Sequence, residues 1–217
     1  MEREEEIALV DVLQNEYVLY QLRHGETPVT VFAFCESLQI DEVEFYKHFN
    51  SFRALEASIW VRFLETALQP VLDDSEYETF TAHEKVLSFY YTIIEVFKQN
   101  RSFVVLKLSD LSGTDVRPKT LEQFRVRFFA WIDEVLQSGI EKEELAFRPM
   151  LSERYNEAVW VQFLYIIRVW INDESTNFEI TDAAIEKSSA LLFELMKKGA
   201  VDLLIDFLKF AYQNKAY

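Results

Sequence analysis

The sequence predicts an all-α protein of about ten helices. Of its 217 residues only four are glycine and four are proline, whereas β-rich folds need more turn-forming residues than that. Half of the residues are apolar and 15% are aromatic, which is enough for a sizeable folded core. The glycines and prolines fall between segments whose apolar residues recur at helical spacing, so these residues are predicted to mark helix ends.

Ten helices are predicted in chain order, over residues 3–24, 29–37, 41–48, 51–68, 80–99, 101–110, 118–138, 150–173, 181–198 and 200–213. Gly25 follows Arg23-His24 and Gly199 follows Lys197-Lys198, which is typical of helix C-termini with cations in the last turn. Pro70 and Gly139 are predicted to end two further helices, and Thr181-Asp182 is predicted to cap the ninth.

Charge and targeting signals limit the classes of protein that fit. The formal net charge is −15, and a chain this acidic needs a local basic patch to bind nucleic acid. The first residues, MEREEE, are acidic rather than signal-like, and no stretch of 18 apolar residues occurs. A single cysteine, Cys35, excludes an internal disulfide and fits a reducing compartment. These features predict a cytoplasmic protein without an integral membrane segment.

Residues that would carry catalysis are not arranged for it. The three histidines, His24, His48 and His83, are scattered without metal-ligand spacing. Neither a glycine-rich phosphate loop nor a nucleophile motif occurs. The sequence therefore predicts no catalytic residue, no metal and no cofactor, and it disfavours an enzyme.

One segment carries a specific pattern. Residues 25–55 read GETPVTVFAFCESLQIDEVEFYKHFNSFRAL, with apolar residues spaced to pack as a small core of short helices. The second and third helices meet at a tight turn near residues 37–41, which is the geometry of a helix-turn-helix. The stretch Phe45-Tyr-Lys-His-Phe49, followed by Ser51 and Leu55, closely resembles the end of the DNA-binding domain in the TetR family of repressors.

The resemblance implies a TetR-repressor-like architecture. A three-helix helix-turn-helix domain would cover residues 1–50, and a larger helical domain for ligand binding and dimerisation would cover residues 51–217. It also implies a set of DNA-contacting residues, which are Thr30, Val43, Glu44, Tyr46, Lys47 and Arg53.

The segment departs from the family pattern in two places. Gln39 stands where the family has glycine in the turn, and a non-glycine residue can adopt the left-handed conformation there at a cost of about 1 kcal/mol. Asp41-Glu42-Val43-Glu44 begins the recognition helix with three carboxylates, which repel phosphates. Residues 1–60 contain twelve acidic and four basic side chains, an excess of eight negative charges. DNA as a partner is therefore favoured by the resemblance and disfavoured by charge.

The family resemblance also implies an effector pocket in the larger domain, where aromatic residues are concentrated. A pocket of this kind is mostly apolar, so the implied ligand is a small hydrophobic molecule. The candidate lining residues are Tyr90, Tyr91, Phe128, Trp131, Trp160 and Phe163. Ordinary core packing is the alternative for each of them.

The last two long helices are those through which the family dimerises, as a four-helix bundle around a two-fold axis. The candidate interface residues for a homodimer are Val159, Ile166, Ile167, Trp170, Ala184, Ser188, Leu191 and Leu195. The alternative is packing within one chain. The final helix, from Ala200, has a narrow polar stripe and is otherwise apolar, so it must be covered by its own chain, by a partner or by lipid.

Together these features predict a TetR-like, homodimeric transcriptional regulator, in which a hydrophobic effector in the larger domain changes DNA affinity. The alternative is a TetR-fold protein that has lost DNA binding and binds a lipid or another small hydrophobic molecule. Lipid-binding proteins of ubiquinone biosynthesis look like a precedent for that alternative.

Overall fold

A computed structural model describes residues 2–111, 115–149 and 151–213 of the chain. Within these ranges it contains ten α-helices and no strand, which confirms the predicted all-α class. The helices are α1 (Glu2–His24), α2 (Val31–Ser37), α3 (Glu42–His48), α4 (Phe52–Leu72), α5 (Ala82–Gln99), α6 (Arg101–Leu108), α7 (Glu122–Glu141), α8 (Tyr155–Ile171), α9 (Glu179–Met196) and α10 (Ala200–Gln213).

Local chemistry sets one end of each of the first three helices. Gly25 ends α1 with a φ of +73°, and its N–H donates to the Gln21 carbonyl at 2.8 Å. The Thr30 hydroxyl caps α2 by accepting from the Ala33 N–H, and the Asp41 carboxylate caps α3 by accepting from the Val43 N–H. Gln39, in the turn between α2 and α3, has a φ of +60°, as the sequence predicts.

Three predicted boundary signals are wrong. Pro70 lies inside α4, in its last turn, although a proline there removes one i→i−4 hydrogen bond. Gly139 lies inside α7, and a Cβ there would approach the Ala82 Cβ to 2.9 Å and the Leu145 side chain to 3.0 Å. This glycine therefore permits close packing and does not end the helix. Thr181 does not cap α9, because the helix already begins at Glu179.

The chain forms two compact units. Unit 1 comprises Met1–Pro70 and Thr92–Phe128, and unit 2 comprises Val71–Tyr91 and Phe129–Tyr217. These units describe packing, whereas the predicted division at residue 50 concerns which residues contact DNA and which contact an effector. That division remains a prediction.

Each unit has an aromatic core. In unit 1 the Trp60 ring lies 5.7 Å from the Phe63 ring and 5.7 Å from the Phe103 ring. In unit 2 the Phe89 ring lies 5.0 Å from Trp131 and 5.8 Å from Phe163. Burial of side chains this large contributes several kcal/mol each to the stability of the fold.

None of the described helices is long and apolar enough to cross a lipid bilayer.

Candidate functional site

The helix-turn-helix is built around four aromatic rings in unit 1. Phe34 of α2 lies 6.5 Å from Phe45 of α3, and Phe52 of α4 lies 5.5 Å and 5.6 Å from these two rings. Tyr17 of α1 stacks on Phe52 at 5.6 Å. Phe45 and Phe49, both part of the segment that resembles the TetR element, are buried. That segment therefore positions α3 through its apolar residues and leaves Tyr46 and Lys47, which lie between them, exposed.

The outward side of α3 presents Val43 and Tyr46, which are 58% and 49% exposed, together with Lys47. The Lys47 Nζ lies 2.7 Å and 2.9 Å from the two carboxylate oxygens of Glu44, one turn earlier. The cation nearest to the expected position of DNA is therefore already paired with a carboxylate. Exposed pairs of this kind are weak, at about 0.2–1 kcal/mol, so phosphate could displace Glu44.

The other two residues predicted to contact DNA lie elsewhere in unit 1. Thr30 is exposed at the start of α2, where its hydroxyl already accepts the capping hydrogen bond. Arg53 is exposed in the first turn of α4 and lines a cavity. The structure thus places four of the predicted DNA contacts on α3, namely Val43, Glu44, Tyr46 and Lys47. Arg53 lies on α4, where it lines the cavity.

That cavity has a volume of about 880 Å³ and is lined by α1, the first turns of α4, and the segment that begins α7. Its wall includes Tyr17, whose hydroxyl donates to the Glu56 carboxylate at 2.8 Å. Lys107 pairs with the same carboxylate at 2.7 Å. Burial and the nearby charge of Glu56 raise the pKa of the Tyr17 hydroxyl, so it remains a neutral donor.

Three cations also line the cavity, namely Arg53, Lys119 and Arg127. Within the described part of the chain, these side chains take part in no hydrogen bond or ion pair. Sequence reasoning missed this group, because Lys119 and Arg127 are far from Arg53 along the chain and no local motif connects them.

The six residues predicted to bind an effector are mostly core residues, and none of them lines this cavity. Tyr90, Phe128, Trp160 and Phe163 are fully buried, Trp131 is nearly so, and Tyr91 is 37% exposed. Their role in ligand binding remains a prediction.

Four of these residues share one cluster in unit 2. The Tyr90 and Phe163 rings are parallel with centroids 6.2 Å apart, Trp160 lies 5.6 Å from Phe163, and Trp131 packs on Phe89 beside them. Phe128 instead belongs to unit 1, where its ring stacks on Phe124 at 6.4 Å.

A polar chain crosses the cluster in unit 2. The Tyr90 hydroxyl, whose pKa is raised by burial, donates to the Gln162 side-chain oxygen at 3.0 Å. The Gln162 amide in turn donates to the Ser188 hydroxyl at 3.0 Å. These bonds connect α5, α8 and α9, and they satisfy polar groups that would otherwise be costly to bury.

The predicted dimer residues divide by helix. On α8, Val159, Ile166, Ile167 and Trp170 are fully buried inside the single chain, where a second copy could reach them only after rearrangement. On α9, Leu191 and Leu195 are 63% and 48% exposed, while Ala184 and Ser188 are half-buried.

Sequence reasoning missed two exposed apolar residues of α8. They are Val161 and Tyr165, which are 42% and 45% exposed. The short connection between α8 and α9 makes the two helices antiparallel neighbours, with Gln162 facing Ser188. Val161 and Tyr165 are four residues apart on α8, and Leu191 and Leu195 are four residues apart on α9, so each pair shares one face of its helix.

The last helix is attached to unit 2 by a buried arginine. The Arg148 guanidinium bonds the Asp202 carboxylate at 2.6 Å and 3.0 Å, and also the Tyr155 hydroxyl at 2.8 Å. The bond from Arg148, and a second one from the Gly199 N–H, lower the pKa of Asp202 to about 2. Among the described side chains of the helix beyond this anchor, Leu203, Leu204, Phe207 and Phe210 are large, apolar and exposed.

Comparison with known protein families identifies a relationship for the C-terminal part of the chain. A family model described as "Tetracyclin repressor-like, C-terminal domain" matches residues 85–211, which is more than half of the chain. No curated protein and no solved structure matches the chain significantly.

Proposed function

Because the chain belongs to the tetracycline-repressor-like (TetR) family, we propose that it is a cytoplasmic, ligand-responsive transcriptional regulator. Its N-terminal residues 1–50 would contact DNA, and residues 51–217 would bind an effector and a second copy of the chain. The observation that carries the proposal is the helix-turn-helix, in which Phe34, Phe45 and Phe52 hold α3 with Val43, Tyr46 and Lys47 facing outward.

Contact with DNA would depend on exchange of partners at Lys47. In the free protein Glu44 occupies this cation, and in the complex a phosphate would replace the carboxylate. Glu44 would then be free to accept a hydrogen bond from a cytosine amino group, which is a recognised form of base readout. The acidic start of α3 makes such binding weak and strongly dependent on salt.

Homodimerisation is supported by the apolar residues exposed on one side of α8 and α9. In the single chain these apolar side chains are exposed to water, and a second copy of the chain would bury them. They are Val161, Tyr165, Leu191 and Leu195. A two-fold axis at this side would pair α8 and α9 with their counterparts as a four-helix bundle, which is the arrangement typical of the family.

A hydrophobic effector would act on the aromatic cluster of unit 2. Tyr90, Trp131, Trp160 and Phe163 are closely packed in the free chain, so a ligand would have to open this cluster to enter it. It would change DNA affinity only by binding one of two conformations more tightly than the other.

The test is binding of the full-length protein to its own upstream DNA, measured by fluorescence anisotropy over roughly 50–200 mM salt. We expect Lys47→Glu to abolish binding and Glu44→Gln to strengthen it, because the latter releases Lys47. Matched controls are Lys197→Glu and Glu194→Gln, which change an exposed pair with the same i,i+3 spacing. Absence of binding at the lowest salt, or equal effects of the control substitutions, would refute the regulator proposal.

A second function is supported by α10. Its exposed Leu203, Leu204, Phe207 and Phe210, together with the paired Lys47 on α3, fit a protein of this fold that binds lipid or another hydrophobic molecule and no longer binds DNA. Native mass spectrometry of the purified protein tests this function. A bound lipid together with no DNA binding would support it, whereas ligand-free protein that binds its upstream DNA would exclude it.

A further inference from the structure

The cavity of about 880 Å³ in unit 1 has no role in the function proposed above. We propose that it is a binding site for a small organic anion with an apolar body, such as a carboxylate or phosphate ester. The site would be additional to the aromatic cluster of unit 2, because the two share no residue.

The charge of the cavity points to an anion. Arg53, Lys119 and Arg127 line it and have no ion-pair partner among the described residues. Of the two carboxylates in the lining, Glu56 is neutralised by Lys107, so that only Glu122 opposes the three cations. Three cations beside one unneutralised carboxylate give this cavity a local positive charge, on a protein whose net charge is −15.

The walls of the cavity indicate the rest of the ligand. Ala54, Ala57 and Val61 provide an apolar side on α4, whereas Thr27 and Ser51 supply neutral polar groups. The volume lies within the range of about 300–1,000 Å³ that is usual for small-molecule sites. An ion with no apolar body would leave most of this space to water, so an amphipathic anion fits best.

The position of the cavity also implies a consequence for regulation. Tyr17, Thr27 and Phe52 line the cavity, and Tyr17 and Phe52 also form part of the core that holds α2 and α3. A bound anion would join these residues to the start of α7 and would neutralise Arg53 in the first turn of α4. This consequence depends on the proposed regulator function, but ligand binding itself does not.

The binding test compares octanoate with octan-1-ol, which share the same apolar chain and differ in charge. Isothermal titration calorimetry on the full-length, DNA-free protein measures both. We expect octanoate to bind about tenfold more tightly than octan-1-ol, because each exposed ion pair contributes up to about 1 kcal/mol. Equal affinity for the acid and the alcohol would overturn the proposal.

Two variants assign the binding to this cavity. The double substitution Lys119→Gln with Arg127→Gln removes two of the three cations, so it is expected to weaken octanoate binding about fivefold and leave octan-1-ol unchanged. Its matched control is Arg154→Gln with Lys198→Gln, which removes the same charge from exposed cations outside the cavity and should leave octanoate binding unchanged.

The substitution Ala57→Trp is expected to fill the cavity and abolish binding of both compounds, with thermal melting used to verify that each variant folds. Unchanged octanoate affinity in the double variant or in Ala57→Trp would show that the anion binds elsewhere. All titrations lack DNA, so failure of the regulator proposal would not alter their outcome.

Discussion

Asp173 provides the sharpest stability prediction, because one buried carboxylate holds the connection between α8 and α9. It accepts hydrogen bonds from the N–H and hydroxyl of Ser175, at 2.8 Å and 2.5 Å, and from the N–H and hydroxyl of Thr181, at 2.8 Å and 2.6 Å. In the same connection Asn177 and Phe178 have left-handed φ values of +54° and +63°, which cost about 1 kcal/mol each. The hydrogen bonds that the carboxylate accepts therefore offset the conformational cost of these two left-handed residues, which lie directly before α9.

Replacing Asp173 by alanine would leave these donors without their acceptor, and those of Thr181 are buried. Hydrogen bonds to a charged acceptor contribute about 1.5–3 kcal/mol each but do not add, so we expect Asp173→Ala to lower the free energy of unfolding by about 3–4 kcal/mol. The measurement is urea unfolding followed by circular dichroism at neutral pH. Asp182→Ala, in the first turn of α9, is the matched control and should cost less than about 1 kcal/mol.

The effect should also depend on pH. Burial raises the pKa of the Asp173 carboxyl, but the hydrogen bonds from Ser175 and Thr181 outweigh it and hold this pKa well below its usual range. A depressed pKa in the folded state means that the stabilisation is complete above the unfolded pKa of about 4 and is lost as the pH falls further. The stability difference between the wild type and Asp173→Asn should therefore shrink below about pH 4. A loss under 1 kcal/mol in Asp173→Ala, or a constant difference between about pH 7 and pH 3, would refute this reasoning.

Three further substitutions follow from the structure. Gln39→Gly should raise the free energy of unfolding by about 0.5–1 kcal/mol, measured by urea unfolding, because a φ of +60° costs glycine nothing; destabilisation would contradict the conformation of this turn. Leu191→Glu should convert a dimer into a monomer in sedimentation equilibrium while Lys187→Glu does not, and an unchanged dimer would place the interface elsewhere. Arg148→Met should release α10 and speed its removal by limited proteolysis, whereas Arg154→Met should not; equal protection would show that Arg148 is not the anchor.

The parts of the fold that the sequence predicted correctly are those fixed by neighbouring residues. Gly25 and Asp41 mark helix ends through their own backbone or side chain, so their positions could be read directly from the sequence. Gln39 is the same kind of case, since the resemblance required a left-handed residue at that position. The role of Gly139 could not be predicted from neighbouring residues, because the need for a glycine there comes from the close approach of Ala82 and Leu145 from other segments.

The candidate sites were less predictable because they depend on which face of a helix packs inward and on which distant residues meet in the folded chain. Periodicity shows which residues share a helix face, but α8 is apolar on nearly every side, so it does not tell which face packs inward. Val159 and Ile166 are buried while Val161 and Tyr165 are exposed, although all four are equally apolar in pattern. The cavity in unit 1 was beyond sequence reasoning altogether, since its cations meet only after folding.

The contrast between paired and unpaired cations leads to a last prediction, which joins the two proposals. Lys47 on α3 is paired with Glu44, whereas Arg53 remains unpaired and is shared by the expected DNA contacts and the cavity. An anion that neutralises Arg53 should weaken DNA binding, by about fivefold if the coupling is at the lower end of the usual range.

Thermodynamic linkage requires that DNA weaken octanoate binding by the same factor. Anisotropy titrations with and without octanoate, and calorimetric titrations with and without DNA, measure the two factors independently. The variant Lys119→Gln with Arg127→Gln, tested at the same octanoate concentration, should lose most of the effect of octanoate on DNA. If octanoate changes DNA affinity equally in this variant and in the wild type, the coupling does not pass through the cavity.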